Sequence, residues 1–176
     1  MRKLFMFVAL LFLAAVPANA QSDYPSSEIF GGYAYMSSDT GFDRENLHGW
    51  GVSFAGNVSE KWGFVAEFSG HYGETQFIAT DLDHNVTTFL FGPRYSGRSG
   101  AATGFAHVLV GGARIRIENA SATKFALAVG GGVDVNVSDK VAIRALQADY
   151  LPIRSFFDGW THNLRLQTGV VIKLGQ

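Results

Sequence analysis

The chain has 176 residues, enough for one domain of ordinary size and too few for two. Its 14 Lys and Arg nearly balance 15 Asp and Glu, so no charge excess points to nucleic acid as a partner. Cysteine is absent, which removes disulfide frameworks, cysteine-based metal sites and a lipoprotein acylation site.

The first element is a leader. Met1-Arg2-Lys3 is followed by the apolar run Leu4–Val16 and then Pro17-Ala18-Asn19-Ala20. A positive start, a short apolar core and a small-x-small cleavage site make a secretory signal peptide over 1–20, with residues 21–176 as the mature domain. The apolar run is shorter than the ~18 residues of a spanning helix, and no later segment reaches that length either.

From residue 27 onward, aromatic and β-branched residues alternate with small or polar ones, and no apolar stripe recurs at helical spacing. Strands are predicted over 27–37, 46–57, 61–73, 84–96, 102–117, 122–137, 139–151 and 162–174. Most are longer than the roughly 5–6 residues usual in soluble sheets. Connectors 57–61, 97–101 and 136–140 are tight, whereas 38–45, 74–83 and 152–161 are longer and polar; 117–121 is a short exception. In an up-and-down meander this alternation sorts tight turns to one rim and loops to the other. Two tight turns carry the same motif, Asn57-Val58-Ser59-Glu60-Lys61 and Asn136-Val137-Ser138-Asp139-Lys140, and are expected to be equivalent.

The strand faces decide the solvent. In the third strand Trp62, Phe64, Ala66, Phe68 and Tyr72 oppose Gly63, Glu67, Ser69 and His71. The fourth sets Phe89, Phe91 and Tyr95 against Thr88, Gly92 and Arg94. The sixth sets Phe125, Leu127, Val129, Val133 and Val135 against Ala126, Ala128, Gly130, Gly132 and Asp134. In the eighth, Leu164, Leu166, Val170, Ile172 and Leu174 oppose Arg165, Gln167, Gly169 and Lys173. A water-facing surface is rich in Lys, Glu and Thr. Here the second face is Gly, Ala and Ser with single charges, which suits a narrow lumen, while the bulky face suits lipid. Closure of the sheet satisfies every backbone group in a bilayer. The reading is an all-β, eight-stranded antiparallel up-and-down transmembrane β-barrel; the alternative is a secreted or periplasmic soluble barrel carrying an apolar ligand.

The leader together with GGYAY (31–35), WGFVAEFSGHYG (62–73), TFLFGPRYS (88–96), FAHVLVGGAR (105–114), GGGVDVNVSDKVAIR (130–144) and QADYL (147–151) resembles the outer membrane protein β-barrel domain family, related to the OmpA transmembrane domain and to OmpX. The likeness covers nearly the whole mature chain. It implies a monomeric barrel of the bacterial outer membrane, inserted by the outer-membrane insertion machinery and surrounded by outer-membrane lipid. The N-terminus and tight turns would be periplasmic and the longer loops external, free to meet an unidentified surface ligand. The chain stops after the eighth strand, so an appended peptidoglycan-binding domain is not expected, and it ends Leu174-Gly175-Gln176 rather than on an aromatic.

An eight-stranded interior is just wide enough for side chains to fill. The phases send Glu67, Arg94, Arg114, Arg116, Asp134, Asp149, Arg165 and Lys173 inward, three acids against five bases, and send Phe105, His107 and Leu109 outward. A hairpin centred near residue 157 sets Asp149 opposite Arg165 and Gln147 opposite Gln167, so a cross-strand ion pair is expected; in a hydrated lumen, losing one partner costs on the order of 1–3 kcal/mol. Arg144 is out of phase with Gln147 and Asp149, which calls for a bulge or an interfacial position.

Chemistry finds little foothold. Gly130-Gly131-Gly132 lies in a strand with no following Lys-Ser/Thr and no helix, so it is lumen space rather than a phosphate loop. Asn-x-Ser/Thr triplets at 57, 85, 119 and 136 are turn and loop residues in this setting. The five His, at 48, 71, 84, 107 and 162, lack ligand spacing, and no metal or cofactor is expected. A lipid-modifying barrel enzyme needs His with Ser or an acid near the outer rim; Ser155, Asp158 and His162 fall in that region without a tight His-x-Ser arrangement, and no enzymatic activity is expected.

Overall fold

The computed structural model describes residues 24–39, 44–77, 80–117, 120–154 and 159–175. The leader over 1–20, the loop centre 40–43, and Ser155 and Asp158 lie outside the described residues.

Eight antiparallel strands follow one another around a closed barrel: β1 (Ser27–Asp39), β2 (Arg44–Asn57), β3 (Trp62–Phe77), β4 (Thr80–Ser99), β5 (Ala102–Ile117), β6 (Ala120–Asn136), β7 (Val141–Arg154) and β8 (Trp160–Leu174). β1 closes on β8 through a register running from Ser27 opposite Leu174 to Ser37 opposite Leu164. Among the described residues the sheet closes on itself and leaves no edge strand.

At the rim expected to carry long loops the strands run further than predicted. Glu74–Phe77 and Thr80–Asp83, assigned to a loop, are paired strand, with Glu74 opposite Asp83 and Phe77 opposite Thr80. The backbone ladder that pairs the two strands does not depend on apolar side chains, so it runs on past the apolar belt.

The two repeated turns share one hydrogen-bond scheme. The Val58 and Ser59 amides both donate to the Trp62 carbonyl (2.9 and 3.1 Å), while the Trp62 amide donates to Ser59 Oγ at 3.0 Å. Val137, Ser138 and Val141 repeat this at 3.0, 2.9 and 3.2 Å. In both turns the serine hydroxyl accepts the amide three residues on, which tightens the turn. Each motif's Asn reaches the neighbouring segment: Asn57 Nδ2 donates to the Pro25 carbonyl at 2.8 Å, and Asn136 Nδ2 to the Gly100 carbonyl at 2.7 Å.

The outward face is apolar around the barrel. Phe91 is 60% exposed, Phe64 58% and Phe125 51%, and Val52, Val108, Val129 and Val170 continue the belt. Aromatic pairs edge it. Trp62 meets Tyr95 edge-on at 5.2 Å near the tight turns, and Phe125 meets Trp160 edge-on at 6.0 Å near the opposite rim. On that side Tyr33 Oη pairs with His48 Nδ1 at 2.5 Å and Tyr150 Oη with His162 Nδ1. An apolar belt with aromatics at both margins is the pattern of a barrel solvated by lipid.

Inward glycines make room for polar side chains. A Cβ on Gly51 would sit 2.1 Å from Gln167 Oε1, and one on Gly130 would sit 2.2 Å from Asp149 Oδ1.

Candidate functional site

The lumen is the candidate site, and it is built in layers. Nearest the tight turns, Glu28 accepts from Arg94 Nη1 at 2.7 Å and from Arg98 Nη2 at 3.1 Å. Asp134 takes Arg144 in a two-toothed pair, Nε at 2.8 Å and Nη2 at 3.1 Å, and lies 3.7 Å from Arg94 Nη2. The Arg144 guanidinium is held between two aromatic faces, 4.3 Å from the Phe30 centroid and 4.5 Å from that of Phe105, while Arg94 lies 4.3 Å from Phe105. Such stacking suits the planar, weakly hydrated guanidinium and would not suit lysine.

The next layer centres on Arg165, fully buried between two carboxylates. It donates to Asp149 Oδ2 from Nη2 at 2.7 Å and from Nε at 3.1 Å, and forms an ion pair with Glu67 Oε1. Its Nη1 reaches Ser69 Oγ at 3.2 Å. His107 Nε2 bonds the other Asp149 oxygen at 2.7 Å. Gln147 ties the layers together, accepting from Arg144 Nη1 at 2.7 Å and donating to Asp149 Oδ2 at 2.8 Å and Glu67 Oε2 at 3.0 Å. Beyond Arg165 the lumen is mostly apolar, with Met36, Leu47, Val86, Leu90, Leu109 and Leu151 buried there alongside the polar His71 and Asn163.

Of the eight charges expected inside, Glu67, Arg94, Asp134, Asp149, Arg165 and Lys173 are buried there. Arg114 and Arg116 are not: both are exposed on the outward face of β5. The phase of that strand is reversed from the expectation, so Phe105, His107 and Leu109 point inward and are buried, while Val108 and Val110 join the outer belt. The alternation misleads because this lumen is apolar over part of its length, so bulky apolar residues mark both faces. Glu28 and Arg144 complete the buried set. Arg144 enters by irregularities in register between Arg144 and Gln147 on β7 and between Val133 and Asp134 on β6. A bulge was the available route for an arginine one step out of phase.

A vestibule of about 540 Å³ lies at the tight-turn mouth, lined among others by Arg98, Thr103, Asn136 and Lys173. Lys173 Nζ is engaged by Asn136 Oδ1 at 2.7 Å. Among the described residues no group of three His, Asp or Glu is placed to hold a metal ion.

No protein-family model matches the chain, and no curated protein matches it by sequence. Solved structures do. Neisserial surface protein A (NspA) superimposes with a TM-score of 0.65 at 13% identity, covering 85% of this chain and 97% of that one. This is the fold of the eight-stranded outer-membrane barrels. The outer membrane protein OprG from Pseudomonas aeruginosa matches the barrel with a TM-score of 0.58 at 14% identity, over 87% of this chain and 97% of its own. Ail, the attachment invasion locus protein of Yersinia pestis, matches it with a TM-score of 0.54 at 20% identity, over 85% and 99%.

Proposed function

We propose that the chain is an integral protein of the bacterial outer membrane, exported by the leader at 1–20, with a plugged lumen and a structural or surface-interaction role carried by its outer loops. The observation that carries this reading is the inversion of solvent preference. Phe91 and Phe64 point out of the barrel, whereas Arg165 and Asp149 are 0% and 1% exposed inside it. A soluble barrel would reverse the two, and a carrier of an apolar ligand needs a hollow where this barrel holds paired charges and packed leucines. The enzymatic alternative has little to build on. His162 is engaged by Tyr150 on the outer face.

The lumen network acts here as a plug. Each buried carboxylate has a cation within reach, so no acid in the lumen is left unpaired. Purified protein in a planar bilayer is therefore expected to pass little or no ion current. A steady, large conductance would overturn the plugged reading.

The tight turns at 58–61 and 137–140 are assigned to the periplasm and the opposite rim to the cell surface. Protease added to intact cells is expected to spare Lys61 and Lys140. Cleavage at those two lysines, with the opposite rim untouched, would invert the topology.

A further inference from the structure

The arginines displaced from the lumen stand together on the outside. Arg114 is opposite Thr123 and Arg116 opposite Ser121, and all four are exposed on one face of the β5–β6 hairpin. Cross-strand partners share a face, and residues two apart on a strand lie about 7 Å from one another. Ala126 is opposite Ile153, which sets the exposed Arg154 beside Phe125, and Arg154 is itself opposite Trp160. Strand spacing puts Arg154 about 12 Å from Arg114. Among the described residues, the one bond these three guanidinium groups make is Arg114 Nη2 to Ser121 Oγ at 3.2 Å. No acid among the described residues faces outward with them on β5–β7.

The same face becomes apolar immediately toward the middle of the barrel, through Phe125, Val110, Val108 and Val129. Three guanidinium groups with serine and threonine hydroxyls above an apolar wall fit a phosphate joined to acyl chains. Arginine offers paired N–H donors matched to phosphate oxygens, and a bound anion offsets the repulsion between Arg114 and Arg116. We infer that Arg114, Arg116 and Arg154 form a binding site for the phosphorylated headgroup of a membrane lipid, with Phe125 and Val110 against its chains. This rests on the outer-membrane reading, since it requires lipid at that face.

The test uses folded full-length mature protein in a neutral maltoside detergent, with bound lipid counted by native mass spectrometry. Phosphatidic acid and phosphatidylcholine with identical chains are added in parallel, and inorganic phosphate is added as competitor. Each interfacial arginine adds about fivefold to binding at an anionic lipid surface. Phosphatidic acid is thus expected to be retained at least about tenfold better than phosphatidylcholine, and the R114Q/R116Q/R154Q variant to lose that preference. The K61Q/K140Q variant removes charge from the other rim and should keep it. R116Q alone, at an exposed position, serves if the triple variant folds poorly, and is expected to lose about fivefold. Equal retention of the two lipids by the unmodified protein, or unchanged retention by the arginine variants, would overturn the site. Displacement by an equal concentration of inorganic phosphate would overturn its assignment to a lipid. Folding without detergent, scored on the same preparation, would instead remove the membrane reading on which the site depends.

Discussion

Replacing Arg165 by leucine is expected to cost the folded barrel about 3–5 kcal/mol, the largest effect of any single lumen substitution. Arg165 is completely buried and pairs with both Glu67 and Asp149, so its loss strands two carboxylates in the interior. The lower cost of on the order of 1–3 kcal/mol belongs to a hydrated lumen, and complete burial argues for the dry figure. Urea titration of the barrel folded in lipid vesicles measures the difference. Neutralising the acids as well, in E67Q/D149N/R165M, should recover much of the loss, because what is costly is the unpaired charge and not the absence of the pair. A loss below about 1 kcal/mol for R165L would mean that water reaches these groups.

The second large effect belongs to the outer face. Phe91 is opposite Ala66 on β3 and Val110 on β5, within the apolar belt and well inside the aromatic rims. Phe91→Arg is expected to destabilise the barrel in vesicles by about 2–4 kcal/mol, the range for arginine at the bilayer midplane. The same change at Tyr95, which packs against Trp62 at the tight-turn margin, should cost about 0–1 kcal/mol because the charge can reach the headgroups. A depth-dependent cost distinguishes lipid from water as the neighbour. In a water-exposed face both substitutions would be close to neutral, and equal costs at the two positions would count against a membrane belt.

The fold was legible because barrel strands whose two faces meet different surroundings alternate in composition. In β3, β4, β6 and β8 every second residue is bulky and the rest are small or charged, and the phases read from these strands match the exposure of Phe68, Phe89, Phe125 and Leu164. The Asp149–Arg165 contact follows from the β7–β8 register once the hairpin centre is placed. What could not be read was any position where the lumen itself is apolar. Leu109 and Phe105 look like lipid-facing residues, and only the pairing of β5 with β6, where His107 faces Gly130, reveals that they point inward. Arg114 and Arg116 look like lumen residues because charge is costly on an apolar face, yet near the rim, past the apolar belt, a strand can turn charges outward without that cost. For Arg144 the sequence called for a bulge or an interfacial position without choosing between them, because nothing in Arg144-Ala145-Leu146-Gln147 signals which residue is the extra one. Glu28, the partner of both Arg94 and Arg98, sits one residue into β1, where the alternation has barely begun.

The requirement for an amphiphile tests the central claim most directly. Mature protein refolded from urea should yield a folded monomer in detergent micelles or lipid vesicles, with β-sheet circular dichroism and a mobility on unheated gels that shifts on boiling. In plain buffer it should aggregate, because the belt around Phe54, Phe64, Phe91 and Val129 is left in water. A folded, soluble monomer in plain buffer, with the same β-sheet spectrum, would contradict the account.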